Sequence, residues 1–136
     1  MSDTRPPDLR DLLKRHLALK AAMAKHPGYH PDAYLFVCAG VDYTCGKLGG
    51  RRDVSGPELV DGLCDMAVEC FGFLAPQVLE HWGVKSAEDF GEIVFALVEA
   101  GLLGKSPRDS QADFRGLPAL RETLRQRYRI NVDVEV

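Results

Sequence analysis

Three chemical signatures are missing from this 136-residue chain. There is no GxxxxGK(S/T) loop to cradle nucleotide phosphates, no GxSxG elbow to raise a serine nucleophile, and no HExxH pair to hold a catalytic zinc. The four histidines (His16, His26, His30, His81) are scattered along the chain without a neighbour that would make a proton relay. Glu88, Asp89 and Glu92 could share a helix face as a carboxylate site, but acidic residues in a first turn are explained equally well by the helix dipole. An enzyme is therefore not the first expectation, and neither a metal nor a cofactor is expected.

Cysteine is also sparse. Cys38, Cys45, Cys64 and Cys70 are separated by seven and six residues within each pair, not by the two-residue gap with which thiolates grip zinc from a tight turn. They read as small core or flanking residues. No apolar run reaches the roughly 18 residues of a membrane span. The start "MSDTRPPDLRDLLKRHL" carries charge where a signal peptide needs its apolar stretch. Both absences predict a cytoplasmic protein with reduced thiols and no membrane partner. Internal repeats and low-complexity tracts are lacking too, which excludes solenoids and disordered arrays.

What is present is enough apolar sequence, 46% of residues, for one globular domain with its own core. The net charge of −3 hides an asymmetry: residues 55–104 hold one basic and nine acidic side chains, residues 1–30 six basic and three acidic, and residues 105–136 seven basic and five acidic. An acidic middle between basic ends opposes DNA wrapping and suggests charge-steered self-association.

The periodicity predicts helices almost throughout. Leu9, Leu12, Leu13, Leu17, Ala21 and Ala24 recur at helical spacing and stop before Pro27 and Gly28. A second helix starts at Pro31 and Asp32, carries Tyr34, Val37, Val41 and Leu48 along one side, and ends at Gly49 and Gly50; the short apolar run Tyr34 to Val37 leaves a strand as the alternative. The third is marked by Ser55 and Glu58 as a capping box, with Val54 and Leu59 as a staple. Its apolar stripe faces a wall of Glu58, Asp61, Asp65 and Glu69, read as a solvated face. A short fourth helix ends at Gly83. Ser86 and Asp89 cap a fifth, whose Phe90, Ile93, Val94, Leu97 and Val98 point inward and which closes at Gly101.

After a polar loop, "LPALRETLRQRYR" predicts a sixth helix, and the alternating tail "INVDVEV" reads as a strand or equally as a loose end. The expected fold is a mainly α compact bundle of five or six helices, with a winged-helix-like form and a short C-terminal β element as variants. Its segments are an N-terminal helix (1–26), a helical core (27–114) and a C-terminal helix and tail (115–136), all in one domain.

The runs "AYLFVCAGVDYTCGKLGGRRDVSGPELVDGL" and "FGFLAPQVLEHWGVKSAEDFGEIVFALVEAGLLGKSPRDSQADF" resemble a small uncharacterised bacterial family. Its pattern is AYxFVxxAxDYTxxKLGxRRHVSGxELxxG followed by FGxxAxxVLxxWGxxxTEDFGEIVFxLVExGLLxK. The resemblance covers Pro27 to Phe114 and implies no reaction, ligand or cofactor. Asp53 stands where that pattern has histidine, and the four cysteines fall where it requires none.

Two binding surfaces remain as candidates. Phe95 shares a helix side with Glu88, Glu92 and Glu99, an exposed aromatic on an acidic rim suited to a protein contact. Lys47, Arg51 and Arg52 precede a helix start at Ser55 and Gly56 whose free amides suit an anion, either a phosphate ligand or nucleic acid. A salt-bridged corner is the plain alternative for that loop. The fifth helix carries four acidic and no basic side chains, which argues against a DNA-reading role. The sequence therefore favours a small non-catalytic binding or adaptor protein acting through protein contacts or self-association, with nucleic-acid or phosphate binding through the loop as the alternative.

Overall fold

A helix begins where something accepts the unpaired amides of its first turn, and this chain supplies such groups repeatedly. The computed structural model describes residues 8–50, 54–103 and 111–134. Asp8 accepts from the Arg10 amide at 3.1 Å and starts α1 (Leu9–Lys25). His30 Nδ1 accepts from the Asp32 amide at 3.1 Å and starts α2 (Pro31–Lys47). Ser55 and Glu58 exchange reciprocal bonds of 3.2 and 3.1 Å at the head of α3 (Gly56–Phe71). A 3-10 turn at Gly72–Leu74 leads into α4 (Ala75–His81). The Asp89 carboxylate reaches back to the Ser86 amide at 3.1 Å to start α5 (Ala87–Glu99), and a second 3-10 turn, Gln111–Phe114, precedes α6 (Leu120–Val134). At the end of α5 the Leu102 amide bonds the Leu97 carbonyl and the Gly101 amide that of Val98, the paired closure expected around a glycine with positive φ.

α2 and α3 form the central pair, with α6 against α3 and α4, and α5 against α1 and α2. The central crossing is close because it is built from small residues. A Cβ at Gly62 would stand 2.9 Å from the Thr44 Cβ, and one at Gly40 would collide with Leu63. Thr44 lies buried in this crossing and donates its hydroxyl to the Gly40 carbonyl at 2.7 Å, which satisfies the one polar atom the crossing would otherwise strand. Around it, Tyr34, Val37, Leu63, Leu79, Phe90 and Leu124 are essentially inaccessible, and one buried cluster draws residues from all six helices. Phe114 closes the far side of α5 by packing on Gly91, where a Cβ would meet its ring at 2.8 Å.

Two expectations change, and one helix shows what its spacing left open. Tyr34 to Val37 lie inside α2, so the strand alternative is not adopted. The C-terminal strand is not formed either: α6 continues through Val134, because a helix already running from Leu120 propagates more cheaply than a lone unpaired strand forms. No strand occurs among the described residues, and the wing of a winged helix would fall on residues 104–110, outside them. Most consequential is α1. Its buried contact is Ala22, helped by Leu19 and Met23, while Leu9, Leu12, Leu13 and Leu17 stay 48% to 68% exposed. The leucine stripe that marks the helix in the sequence faces out.

Candidate functional site

The loop after α2 is a held corner as far as it is described. Lys47 forms an ion pair with Asp65 on α3 and lies over the Tyr43 ring, 5.4 Å from its centroid. The Asp65 hydrogen bond raises the Lys47 ammonium above its usual range. Ser55 and Glu58 engage each other's amides, and Gly56 is buried against the Gln111–Phe114 turn, where a Cβ would touch the Asp113 Cβ at 2.9 Å. Lys47, Ser55 and Gly56 are thus engaged inside the protein. Arg51 and Arg52, with Asp53, lie outside the described residues.

The acidic wall of α3 is largely intramolecular as well. Arg127 on α6 pairs with both Asp61 and Asp65, and Tyr43 donates its hydroxyl to Glu69. Burial works against ionising Asp65, but the Lys47 and Arg127 hydrogen bonds outweigh it and hold the carboxyl below its usual range. Sequence periodicity placed these carboxylates on one face correctly and missed their partners, which lie between 18 and 66 residues away.

On α5, Glu88, Glu92 and Glu99 are exposed and Phe95 is 43% exposed beside them. The strip that the sequence proposed for protein contact is therefore a continuous surface feature. Its edge is anchored by a residue that sequence reasoning overlooked: the Tyr29 hydroxyl sits 2.7 Å from Asp89 Oδ1 and 2.5 Å from Glu92 Oε2. Burial and these two carboxylates raise the Tyr29 phenol above its usual range, so it stays a donor. A single hydroxyl proton serves one acceptor at a time, and Lys25 and Lys85 line the same open hollow of about 470 Å³. Asp89 is doubly used, since its other oxygen accepts from the Lys85 and Ser86 amides.

The thiols are not gathered. Cys64 is buried and Cys70 exposed, and burial pushes the Cys64 thiol up to about 12. Burial raises Cys38 too. His30 and His81 come within 6.0 Å, ring centre to ring centre, a proximity that their sequence separation hid. Among the described residues no group of three or more His, Cys, Asp or Glu side chains is placed to hold a metal, and no helix is long and apolar enough to cross a membrane.

The comparisons with protein-family models, curated proteins and solved structures give no match to this chain. The surfaces themselves are what bear on function, and the outer half of α1 groups four exposed leucines on one helix.

Proposed function

We propose that the chain is a small non-catalytic binding or adaptor protein that contacts other proteins through the leucine stripe of α1 and the Phe95 strip of α5. The observation that carries this reading is the exposure of Leu9, Leu12, Leu13 and Leu17 on one helix. Covering four half-exposed leucines stabilises a complex by on the order of 4 kcal/mol, and contiguous apolar surface of this kind marks interaction sites. Arg10, Lys14, Arg15 and Lys20 lie among these leucines, so the fitting partner surface is apolar with an acidic rim. The α5 strip of the protein itself has that character, which makes self-association one form of the same reading.

A winged-helix-like use of α5 for protein contact is compatible with it, because the helix exposes carboxylates where a groove-reading helix exposes cations. The phosphate or nucleic-acid reading of the loop now rests on Arg51 and Arg52, since Lys47 is paired. The resemblance to a small bacterial family and a cytoplasmic setting belong to this proposal and assign no activity.

The test compares wild-type protein with the Leu13→Asp/Leu17→Asp and Phe95→Ala variants. Light scattering reports self-association, and affinity capture from the native cell, scored for bound protein and bound nucleic acid, reports other partners. The reading expects a self-complex or a specific protein to be lost with one of the variants. Identical behaviour of all three proteins defeats it, and binding that disappears only on replacing Arg51 and Arg52 moves the function to the loop.

A further inference from the structure

On the face of the molecule formed by α6 and the turn before α4, a groove of about 330 Å³ runs beside Phe73, Leu124 and Tyr128 and is bordered by Arg121, Arg125 and Arg129. We infer that it is a nucleotide-binding groove in which a planar base stacks on Phe73, with the inclined Tyr128 ring against its edge, while a phosphate is held by Arg125 and Arg129.

The aromatic half of the groove depends on an unusual piece of backbone. α3 ends at Gly72, whose φ of 58° and ψ of −137° lie in a region open essentially to glycine alone. Its Cα also comes close to α6, since a Cβ there would lie 3.9 Å from the Tyr128 ring. This bend turns Phe73 outward, leaving it 63% exposed with its ring centre 6.2 Å from that of Tyr128 and the planes inclined at 47°. An aromatic held in the open beside a second ring is a stacking platform. Every base offers it a flat face, so the contact needs no particular sequence.

The charged half lies next to it. Arg121, Arg125 and Arg129 repeat every four residues, so they share a side of α6 at intervals of about 6 Å along the axis. Arg121 is occupied, bonding Glu80 at 2.7 Å. Among the described residues Arg125 and Arg129 have no ion pair and no carboxylate lines the groove. Two guanidinium groups with no ion pair among the described residues, bordering an aromatic platform, suit an anion with delocalised charge, and Arg binds phosphate oxygens in a bidentate way. An acidic peptide would meet the arginines but leave the exposed rings without a matching face; a phosphate joined to a base engages both. The site lies apart from the α1 and α5 surfaces and does not depend on their function.

The experiment titrates the purified full chain with adenosine 5′-monophosphate, a short single-stranded RNA and inorganic phosphate, following heat release and, in a Phe73→Trp variant, indole emission. Adenosine monophosphate should bind more tightly than inorganic phosphate. Phe73→Ala should weaken the nucleotide by about tenfold while leaving inorganic phosphate unchanged; Phe73→Trp should retain binding and show quenched emission. Arg125→Ala/Arg129→Ala should weaken all the ligands bound, and circular dichroism should show each variant folded, since these positions are exposed. RNA binding well above the mononucleotide, with a steep salt dependence, identifies a nucleic-acid strand as the source, and equal binding identifies a free nucleotide. Absence of nucleotide binding at millimolar concentration, inorganic phosphate binding as tightly as the nucleotide, or binding indifferent to both sets of substitutions overturns the assignment.

Discussion

Arg127 on α6 and Asp65 on α3 are ion-paired, with side chains only 24% and 25% exposed. Lys47 reaches the same carboxylate from α2, so one aspartate ties three helices together. Arg127 Nε is buried and has no hydrogen-bond partner among the described residues, so the guanidinium depends on its two terminal nitrogens for what it lost on leaving water. Removing Arg127 leaves the half-buried Asp65 with Lys47 alone, and such a loss costs more than the pairing contributed.

Stability should therefore fall in acid through Asp65. Its folded-state carboxyl lies below the ordinary value of 3.8, so the stabilising contribution is fully present above that value and is lost as pH falls through the lower, folded-state one. Urea midpoints measured from pH 6 to pH 2 should decline over this window, and Asp65→Asn should flatten the decline. Arg127→Ala should cost about 2 kcal/mol at neutral pH. An acid slope identical in wild type and Asp65→Asn would show that the cluster is energetically idle.

Two glycines should respond oppositely to alanine. Gly62→Ala gains about 1 kcal/mol of helix propensity but drives a methyl into the stiff, buried Thr44, so it should destabilise by about 2 kcal/mol net. Gly46, in the last turn of α2, has nothing within 4 Å of a built Cβ; alanine there should be neutral or stabilise by about 0.5 kcal/mol. Thermal midpoints distinguish them, and a stable Gly62→Ala protein would mean that the α2 and α3 crossing is looser than described.

Thiol reactivity should be graded. Cys70 is exposed, whereas Cys64 is buried with its thiol raised to about 12. A disulfide reagent at neutral pH should modify Cys70 before Cys64, with Cys64 reacting at the rate of unfolding or local opening. Rapid modification of Cys64 in the native protein would contradict its placement.

Substitution on α1 should separate surface from core. Leu13→Asp/Leu17→Asp should move the thermal midpoint of the isolated protein by no more than the effect of ordinary surface changes, within about 0.5 kcal/mol. Leu63→Ala, in the centre of the cluster, should cost about 3 kcal/mol. Equal losses would return the α1 leucines to the core.

Local signals were legible in the sequence where their cause is local. The Ser55 and Glu58 capping box, the Ser86 and Asp89 start, and the Gly101 closure all involve residues within a few positions of one another, and each is formed. What periodicity cannot state is whether a stripe has anything to face. The α1 leucines have helical spacing but stay 48% to 68% exposed, and the carboxylates of α3 have helical spacing but find Arg127 through tertiary folding. Likewise His30 as a helix cap and Tyr29 between Asp89 and Glu92 depend on where the connection between α1 and α2 passes. The alternation that begins at Ile130 misled as far as Val134 for a different reason: β-branched residues only weakly oppose a helix that is already under way.

The anchoring of α1 at one end has a mechanical corollary. The helix is about 26 Å long, and its attachment lies around Ala22, with Leu9 about 20 Å further along the axis. Every residue of it from Leu9 to Leu17 is exposed, and seventeen residues sit near the length at which an isolated helix is only marginal in water. The amide hydrogens of α1 should therefore exchange along a gradient, slowest near Met23 and fastest near Leu12. A partner that settles on the leucines would erase that gradient without moving any other part of the protein, so the arm itself would report its own occupancy.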